Sequence, residues 1–384
     1  MSHILVSNQQ NIGIVGAGIM GRLLAWRLMQ SGHKVTLFDK DPIEQGNAAA
    51  YTAAGMLTPF AEIESAELLI FQMGMRSLQL WPEWLKMFNA EVGFYQKGSL
   101  VISHAQDKAD LLRFNQQLNY KLAQDEQVKV RLVEEMERPR QISHDELFEL
   151  EPEVASRFHE ATWLPQEAWL CTKCVMKTLA ERLLEEGASW YAHKAIEQLG
   201  ENFVQFGRQR LEFDRVIDCR GLGARETVKG LRGVRGELLL LEAPDVNISR
   251  LVRLMHPRYR LYLVPKGRDN LYTIGATQIE SDDMGPLTVR SALELLTAAY
   301  SLHPGFSEAR IVESKTNCRP ALSNNLPQVR KSNGVLQING LYRHGFLLAP
   351  AIAEEVCRYI DQGDDAKSAF ESLFQFESFQ ENFV

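Results

Sequence analysis

NIGIVGAGIMGRLLAWRLMQSGHKVTLFDKD, residues 11–41, reads as a strand, a glycine turn, a helix and a second strand ending in an acid. The apolar run Ile12 to Val15 precedes Gly16, Gly18 and Gly21, which fit G-x-G-x-x-G and open the helix. Gly16 permits the tight turn, Gly18 admits the backbone to a pyrophosphate, and Gly21 lets the helix lie against the strand. The helix start offers that phosphate unpaired N–H groups and a partial positive charge. Asp39, followed by Lys40, closes the strand Lys34 to Phe38, where a carboxylate accepts hydrogen bonds from a ribose diol and repels a 2′-phosphate. The segment predicts a dinucleotide without that phosphate, either NAD or FAD.

Composition places the chain among ordinary globular proteins. Its 384 residues suffice for two domains, and 45% hydrophobic with 24% charged residues is the usual balance. A net charge of −7 supplies no concentrated basic surface, which argues against a nucleic-acid partner. MSHILVSNQQ lacks the basic flank and apolar length of a secretory signal, and no eighteen apolar residues run together. A cytoplasmic protein without a transmembrane segment is expected. Cys171, Cys174, Cys219, Cys318 and Cys357 are scattered, unlike a secreted disulfide framework. Cys171 and Cys174 form C-x-x-C, a spacing shared by redox pairs and half-sites for zinc. No second pair follows to complete tetrahedral ligation, so no metal is expected. Apolar Val175, Met176, Leu179, Leu183 and Leu184 make the pair read as the start of an amphipathic helix.

Pattern changes locate the remaining elements. Helices are predicted over 65–90, 108–123, 172–186 with Gly187 as a C-cap, and 289–302. GSLVISH (98–104) reads as a strand, as do residues 189–193, and a hairpin is expected around Glu201. RVID (215–218) runs into a second glycine turn, CRGLGAR, holding Gly221 and Gly223. Between 236 and 280, GELLLLEAP, RLVRLMHP, RLYLVPKG and NLYTIGAT alternate strand with turn and suggest an antiparallel sheet. A strand near 309–314 follows. GVLQINGLYRHGFLLAPAIAEEVCRYI then reads as a strand, a glycine loop and a helix over 346–360. Gly345 is expected to allow an unusual backbone angle there, with the helix N-terminus facing whatever the loop contacts.

Taken in order, the fingerprint, YTAAGMLTP, ELFELEPEV, CRGLGAR with RGVRGELL, RLYLVPKG with TIGAT, NCRPALSNNLP and LYRHGFLLAP resemble the D-amino-acid oxidase and sarcosine oxidase superfamily of flavoenzymes, most closely its glycine oxidase branch. The resemblance covers nearly the whole chain. It implies an α/β fold in which a Rossmann-like FAD-binding domain (1–80, 150–232, 316–365) interleaves with an α+β substrate domain built on an antiparallel sheet (81–149, 233–315), leaving 366–384 as a tail. It implies FAD, held non-covalently, with Thr52, Ala53, Ala54, Gly55 and Met56 passing beside the isoalloxazine ring. Ala53, Ala54 and Gly55 are small enough to bring backbone N–H groups to a planar ring. Gly221, Gly223, Gly345, Phe346 and Leu347 complete the implied cofactor contacts, the last three at a helix start suited to the negative charge of a reduced flavin.

By the same resemblance Arg319 pairs with the substrate carboxylate, Tyr262 supports that group, and Arg343 borders the substrate amine. A planar guanidinium suits a bidentate grip on a carboxylate. The implied reaction is hydride transfer from the Cα of a small amino acid or amine to flavin N5, then imine hydrolysis and reoxidation by O2 to hydrogen peroxide. Two alternatives remain: a dehydrogenase that passes electrons to a quinone or protein, and an accessory flavoprotein without amine oxidation.

Four features stand apart from the family pattern. RPALSNNLP carries Ser323 to Asn325 where an acidic turn is usual, which touches substrate identity. EAWLCTK replaces a Gly-x-Val-Asp-Pro stretch, and Trp169 is expected to fill core. Cys318 lies near the position of covalent flavin attachment in the sarcosine oxidase branch, yet its flanks differ, so a buried inert cysteine is expected. The tail, with Phe370, Leu373, Phe374, Phe376, Phe379 and Phe383 among acids, is expected to dock on the protein itself or serve a homo-oligomer or protein partner.

Overall fold

The computed structural model describes residues 9–124, 137–256, 261–267, 269–363 and 366–376. Strand Asn11–Val15 lies between Lys34–Phe38 and Arg215–Asp218, parallel to both. Parallel neighbours need a crossover, and helix Ile19–Gln30 supplies the first. The full sheet has seven strands in the order Phe374–Phe376, Gln328–Ser332, Val335–Asn339, Arg215–Asp218, Asn11–Val15, Lys34–Phe38, Ser189–Tyr191. Gln328–Ser332 and Val335–Asn339 form its antiparallel pair. Segments from the start, middle and end of the chain thus share one layer.

Helix Ile19–Gln30 is apolar on most sides because it is covered on most sides, by the sheet and by helices Thr172–Glu185 and Gly345–Gln362. Gly21 allows the closest approach: a Cβ there would lie 1.9 Å from the carbonyl oxygen of Gly16. Helix Leu68–Phe88 packs on the outer side of Gly345–Gln362. Pro350 sits inside that last helix and has no N–H to give the carbonyl of Phe346, four residues earlier. The buried indole of Trp81 fills the gap, its Nε1 donating to Phe346 O at 2.9 Å.

A second sheet of eight strands runs Arg310–Ala321, Arg232–Glu242, Leu271–Gly275, Leu261–Pro265, Leu251–Met255, Ser99–Ser103, Ala161–Leu164, Arg140–Ile142. It is antiparallel except where Leu251–Met255 meets Ser99–Ser103. Helix Val289–Leu302 covers part of it with Leu295, Ala298, Ala299 and Leu302. The strand expected near 309–314 is longer, because Arg310–Ala321 pairs with Arg232–Glu242 along its whole length. That extension carries Arg319 inward.

A further difference concerns Gly345. It is the first residue of the last helix with no left-handed backbone angle, and a Cβ there would meet only Ile19 at an ordinary 3.6 Å. The chain reverses earlier, through Gly340 at φ 80° and Tyr342 at φ 51°. A left-handed tyrosine costs about 1–2 kcal/mol.

The described part of the tail docks on the protein itself. Phe374–Phe376 adds a parallel strand beside Gln328–Ser332, with Phe370 and Leu373 buried. Phe379 and Phe383 lie outside the described residues. No helix among the described residues is long and apolar enough to cross a membrane.

Replacing Trp81 by Phe removes the indole N–H from the Phe346 carbonyl, which Pro350 cannot serve. A buried unpaired acceptor costs about 1–3 kcal/mol, so the unfolding free energy of Trp81→Phe from urea titration should fall by about that amount, with a lower midpoint.

Candidate active site

One cavity of about 1560 Å3 runs between the two sheets. It exceeds the ~300–1,000 Å3 of an ordinary small-ligand pocket and suits a dinucleotide with a second small molecule. Every residue expected to hold cofactor or substrate lines it except Gly21, whose role is the helix contact described above.

At the dinucleotide end, Gly16 has φ 98° and sits so close to the second glycine turn that a Cβ would fall 2.6 Å from the Cys219 carbonyl. Gly18 faces open space, its nearest neighbour being Ala48 Cβ at 3.8 Å. No side chain caps the helix that follows, so its first N–H groups are left for a ligand. Asp39 accepts from Ala17 N and, at 2.9 Å, from Asp41 N, which holds the turn while leaving further lone pairs on both oxygens. Lys40, Gly221 and Gly223 complete this rim. Arg22 ties the turn to its surroundings, giving hydrogen bonds to Ala17 O, Met176 O, Ile43 O and the Tyr51 hydroxyl from a fully buried position.

At the other end Thr52 to Met56 faces Gly345, Phe346 and Leu347 across the cavity. A small antiparallel sheet steadies the loop from behind: Met56–Leu57 pairs with Ala168–Leu170, which pairs with Phe94–Tyr95. Trp169, buried as expected, stacks on Tyr95 in this sheet at 5.3 Å. Gly55, at φ 87°, has Leu170 O where a Cβ would be, 2.1 Å away. Lys266 Nζ donates to Ala54 O at 3.1 Å, and burial, with Lys315 and Lys173 adding repulsion, pulls its ammonium down to about 8.

The part of the cavity lined by Tyr262, Arg319 and Arg343 contains a charge that sequence reading missed. Glu62 is buried and pairs with Arg343, with His344 Nε2 at 3.0 Å and with the Tyr262 hydroxyl at 3.1 Å. Burial alone would raise its carboxyl, but Arg343 and then His344 hold it well below the ordinary value. Arg343 is therefore already matched to a carboxylate of the protein. Arg319 is not. Its Nη1 donates to the carbonyls of Thr277 (3.1 Å) and Arg235 (3.4 Å), and none of the described residues brings it a carboxylate within ion-pair distance. Burial lowers its pKa. Gly236 makes room for it, since a Cβ at 236 would lie 2.2 Å from Arg319 Nη2.

Behind Glu62, two buried side chains grip the backbone of the preceding residue, one at its N–H and one at its carbonyl. Glu167 accepts from Ala61 N at 2.7 Å, and Arg253 donates to Ala61 O while pairing with Glu64. Burial pushes the Glu167 carboxyl up to about 8 despite its donors Ser99 and Ala61. No motif marks Glu62 or Glu167; the only sequence signal was an acid close behind the small-residue loop. Cys318 is buried, its Sγ turned to the carbonyls of Ser281 and Asp283, and burial raises its thiol. In the altered turn, Asn324 Oδ1 accepts from Leu326 N and Asn325 takes φ 57° and accepts from Arg232. Amide oxygens thus serve the turn in place of carboxylates.

Residues 11–359 match the family model described as FAD dependent oxidoreductase. The chain belongs to that family. FAD is thus its cofactor, and the choice between NAD and FAD that the fingerprint left open is closed. A Rhizobium etli protein described as a thiamine biosynthesis oxidoreductase, ThiO, is 38% identical over 356 residues, covering 92% of this chain and 98% of that one. Glycine oxidase of Geobacillus kaustophilus is 22% identical over 379 residues, and its crystal structure superposes with a TM-score of 0.80 over 96% of this chain and all of that one. Iminodiacetate oxidase from Chelativorans sp. BNC1 superposes at 0.79, with 20% identity, over the same share of this chain and all of that one. The glycine cradle, the uncapped helix start and the small-residue loop are the features an FAD-binding chain needs, and all border one cavity.

The raised carboxyl of Glu167 sets a pH dependence. Between an unfolded value of 4.5 and a folded value of about 8, unfolding releases a proton that the folded protein keeps. Stability present below pH 4.5 is therefore lost as pH rises to about 8, and not beyond. Glu167→Gln mimics the protonated acid and removes this loss: its thermal midpoint should match the parent near pH 4.5 and exceed it by a margin that grows up to about pH 8 and then stays constant.

Proposed function

We propose that the protein oxidises a small amino acid or N-methyl amino acid bearing a free carboxylate, of the glycine, sarcosine or D-amino-acid kind, to an imine that water hydrolyses to an oxo acid and ammonia or an amine. One observation carries the reading: a half-buried arginine with unmatched donors lines the cavity that the small-residue loop and a helix start also border. When bound there, FAD would supply the two-electron acceptor, with oxygen as the final oxidant.

The chain's own residues bind and orient. Arg319 takes the substrate carboxylate, and the Tyr262 hydroxyl, now directed at Glu62, lies on the same wall to support it. Glu62 holds Arg343 in place, so the Tyr342–Arg343 backbone can border the amine while the guanidinium stays occupied. Only a neutral amine has a lone pair to stabilise the cation developing at Cα. The charge of Arg319, which no carboxylate of the described residues meets, favours losing the ammonium proton on binding, because like charges disfavour the protonated form. Positioning and electrostatics then do most of the catalysis.

An anaerobic titration of purified protein with glycine, sarcosine, D-alanine and D-proline tests this directly. Bleaching of the visible flavin band by at least one of them is the expected result; a yellow protein that none of them bleaches would refute the reading. Arg319→Ala should stay yellow and raise KM for carboxylate substrates by about two orders of magnitude, the ~3 kcal/mol expected when one partner of a buried charged contact is lost. Gly236→Ala should act in the same direction without touching substrate itself, because the new methyl displaces the guanidinium.

A further inference from the structure

Strand Ala168–Leu170 runs into a C-x-x-C pair that amine oxidation does not use. Cys171 and Cys174 are joined as a disulfide at the start of helix Thr172–Glu185 and lie outside the cavity. Both are half-buried, whereas Cys219, Cys318 and Cys357 are buried free thiols. A buried thiol is inert; a pair reachable from solvent is not.

Two features favour exchange at this pair. Cys171 is the N-cap of the helix, and Cys174 N–H points at its sulfur at 3.4 Å. The unpaired N–H groups and positive end of a helix stabilise a thiolate, and a stabilised thiolate leaves faster from a disulfide.

The same residues are wired to the small-residue loop. Leu170 N donates to Gly55 O at 2.9 Å, Thr172 Oγ1 donates to Ala53 O at 3.2 Å, and Cys171 N donates to Gly93 O at 3.1 Å. Leu170 O occupies the space a Cβ on Gly55 would need, so the loop has no slack against the 170–172 backbone. A change in the dihedral freedom of residues 171–174 therefore reaches Ala53–Gly55 through direct contacts.

The geometry points to a reversible dithiol–disulfide site at Cys171 and Cys174, opened by a solvent-borne dithiol, whose closed form holds the loop Ala53–Met56 in the shape that retains FAD. The second half of this inference rests on the reading that this loop flanks the flavin. In the opening step a thiolate of the dithiol attacks Sγ of Cys174, the protein S–S bond breaks, and Cys171 leaves as a thiolate. The second thiol of the reagent then displaces Cys174. The protein ends with two thiols and the reagent as its own disulfide, two electrons and two protons having passed to the protein. An oxidised dithiol closes the pair by the reverse path.

The test equilibrates the yellow holoprotein, without oxygen, in mixtures of reduced and oxidised dithiothreitol, quenches in acid, and alkylates before peptide mass analysis. The closed form should predominate in oxidised reagent. Cys171 and Cys174 should gain alkyl groups together as the reduced share rises, while the three buried cysteines, blocked separately after denaturation, keep the same state throughout. Flavin release on dilution, followed by flavin fluorescence, should rise several-fold along the same curve. In a Cys171→Ser, Cys174→Ser double variant, release should be independent of the reagent; Cys174→Ala alone provides the same comparison should the double variant not fold. Thiols that persist in fully oxidised reagent, or a disulfide that survives excess reduced reagent, would overturn the site. A pair that opens with no change in flavin release overturns the coupling. A preparation that never binds FAD defeats the functional reading instead, and alkylation still judges the site.

Discussion

The buried carboxylate of Glu62 is the constraint around which the cavity wall carrying Tyr262, Arg343 and His344 is organised. A charge removed from water must be met by opposite charge and hydrogen bonds, or it costs several kcal/mol. Its partners come from two distant stretches, Tyr262 from the eight-stranded sheet and Arg343 with His344 from the loop after the last long strand, while Glu167 and Arg253 hold the backbone of Ala61 beside it. Satisfying one anion thus fixes where the two sheets meet, and the cavity is the space left between them.

That arrangement gives two neighbouring arginines opposite duties. Arg343 is neutralised within the fold, so its contribution is a fixed backbone and a settled loop. Arg319 is half-buried and donates to carbonyl oxygens, which orient a guanidinium without cancelling its charge. The residue type is identical, and the difference lies in what stands opposite. Gly236 shows how the sheet accommodates this, by leaving out a side chain where the guanidinium must lie.

The same economy recurs in the backbone. The last helix begins at the cavity wall and tolerates Pro350 because Trp81, from another helix, supplies the missing donor. The reversal before it is made at Gly340 and Tyr342, and a tyrosine held left-handed persists only where packing over-determines it. Behind the small-residue loop, a three-stranded sheet and a cystine do the supporting, so the loop can stay small where it faces the ligand.

Much of this was legible in the residues alone. The glycine fingerprint, Asp39, the second glycine turn and the alternation over 236–280 announce their elements because local spacing determines turn geometry, helix starts and which face of a strand is buried. The order of motifs carried the family and its cofactor. Tertiary structure decided the rest. Glu62 and Glu167 sit in no motif, Gly345 was credited with a backbone angle that Tyr342 takes, and the strand carrying Arg319 is longer than its own sequence suggests because its partner strand extends it. A carboxylate's role depends on which charges and N–H groups surround it in space, and those arrive from segments up to hundreds of residues away, where no local pattern can record them.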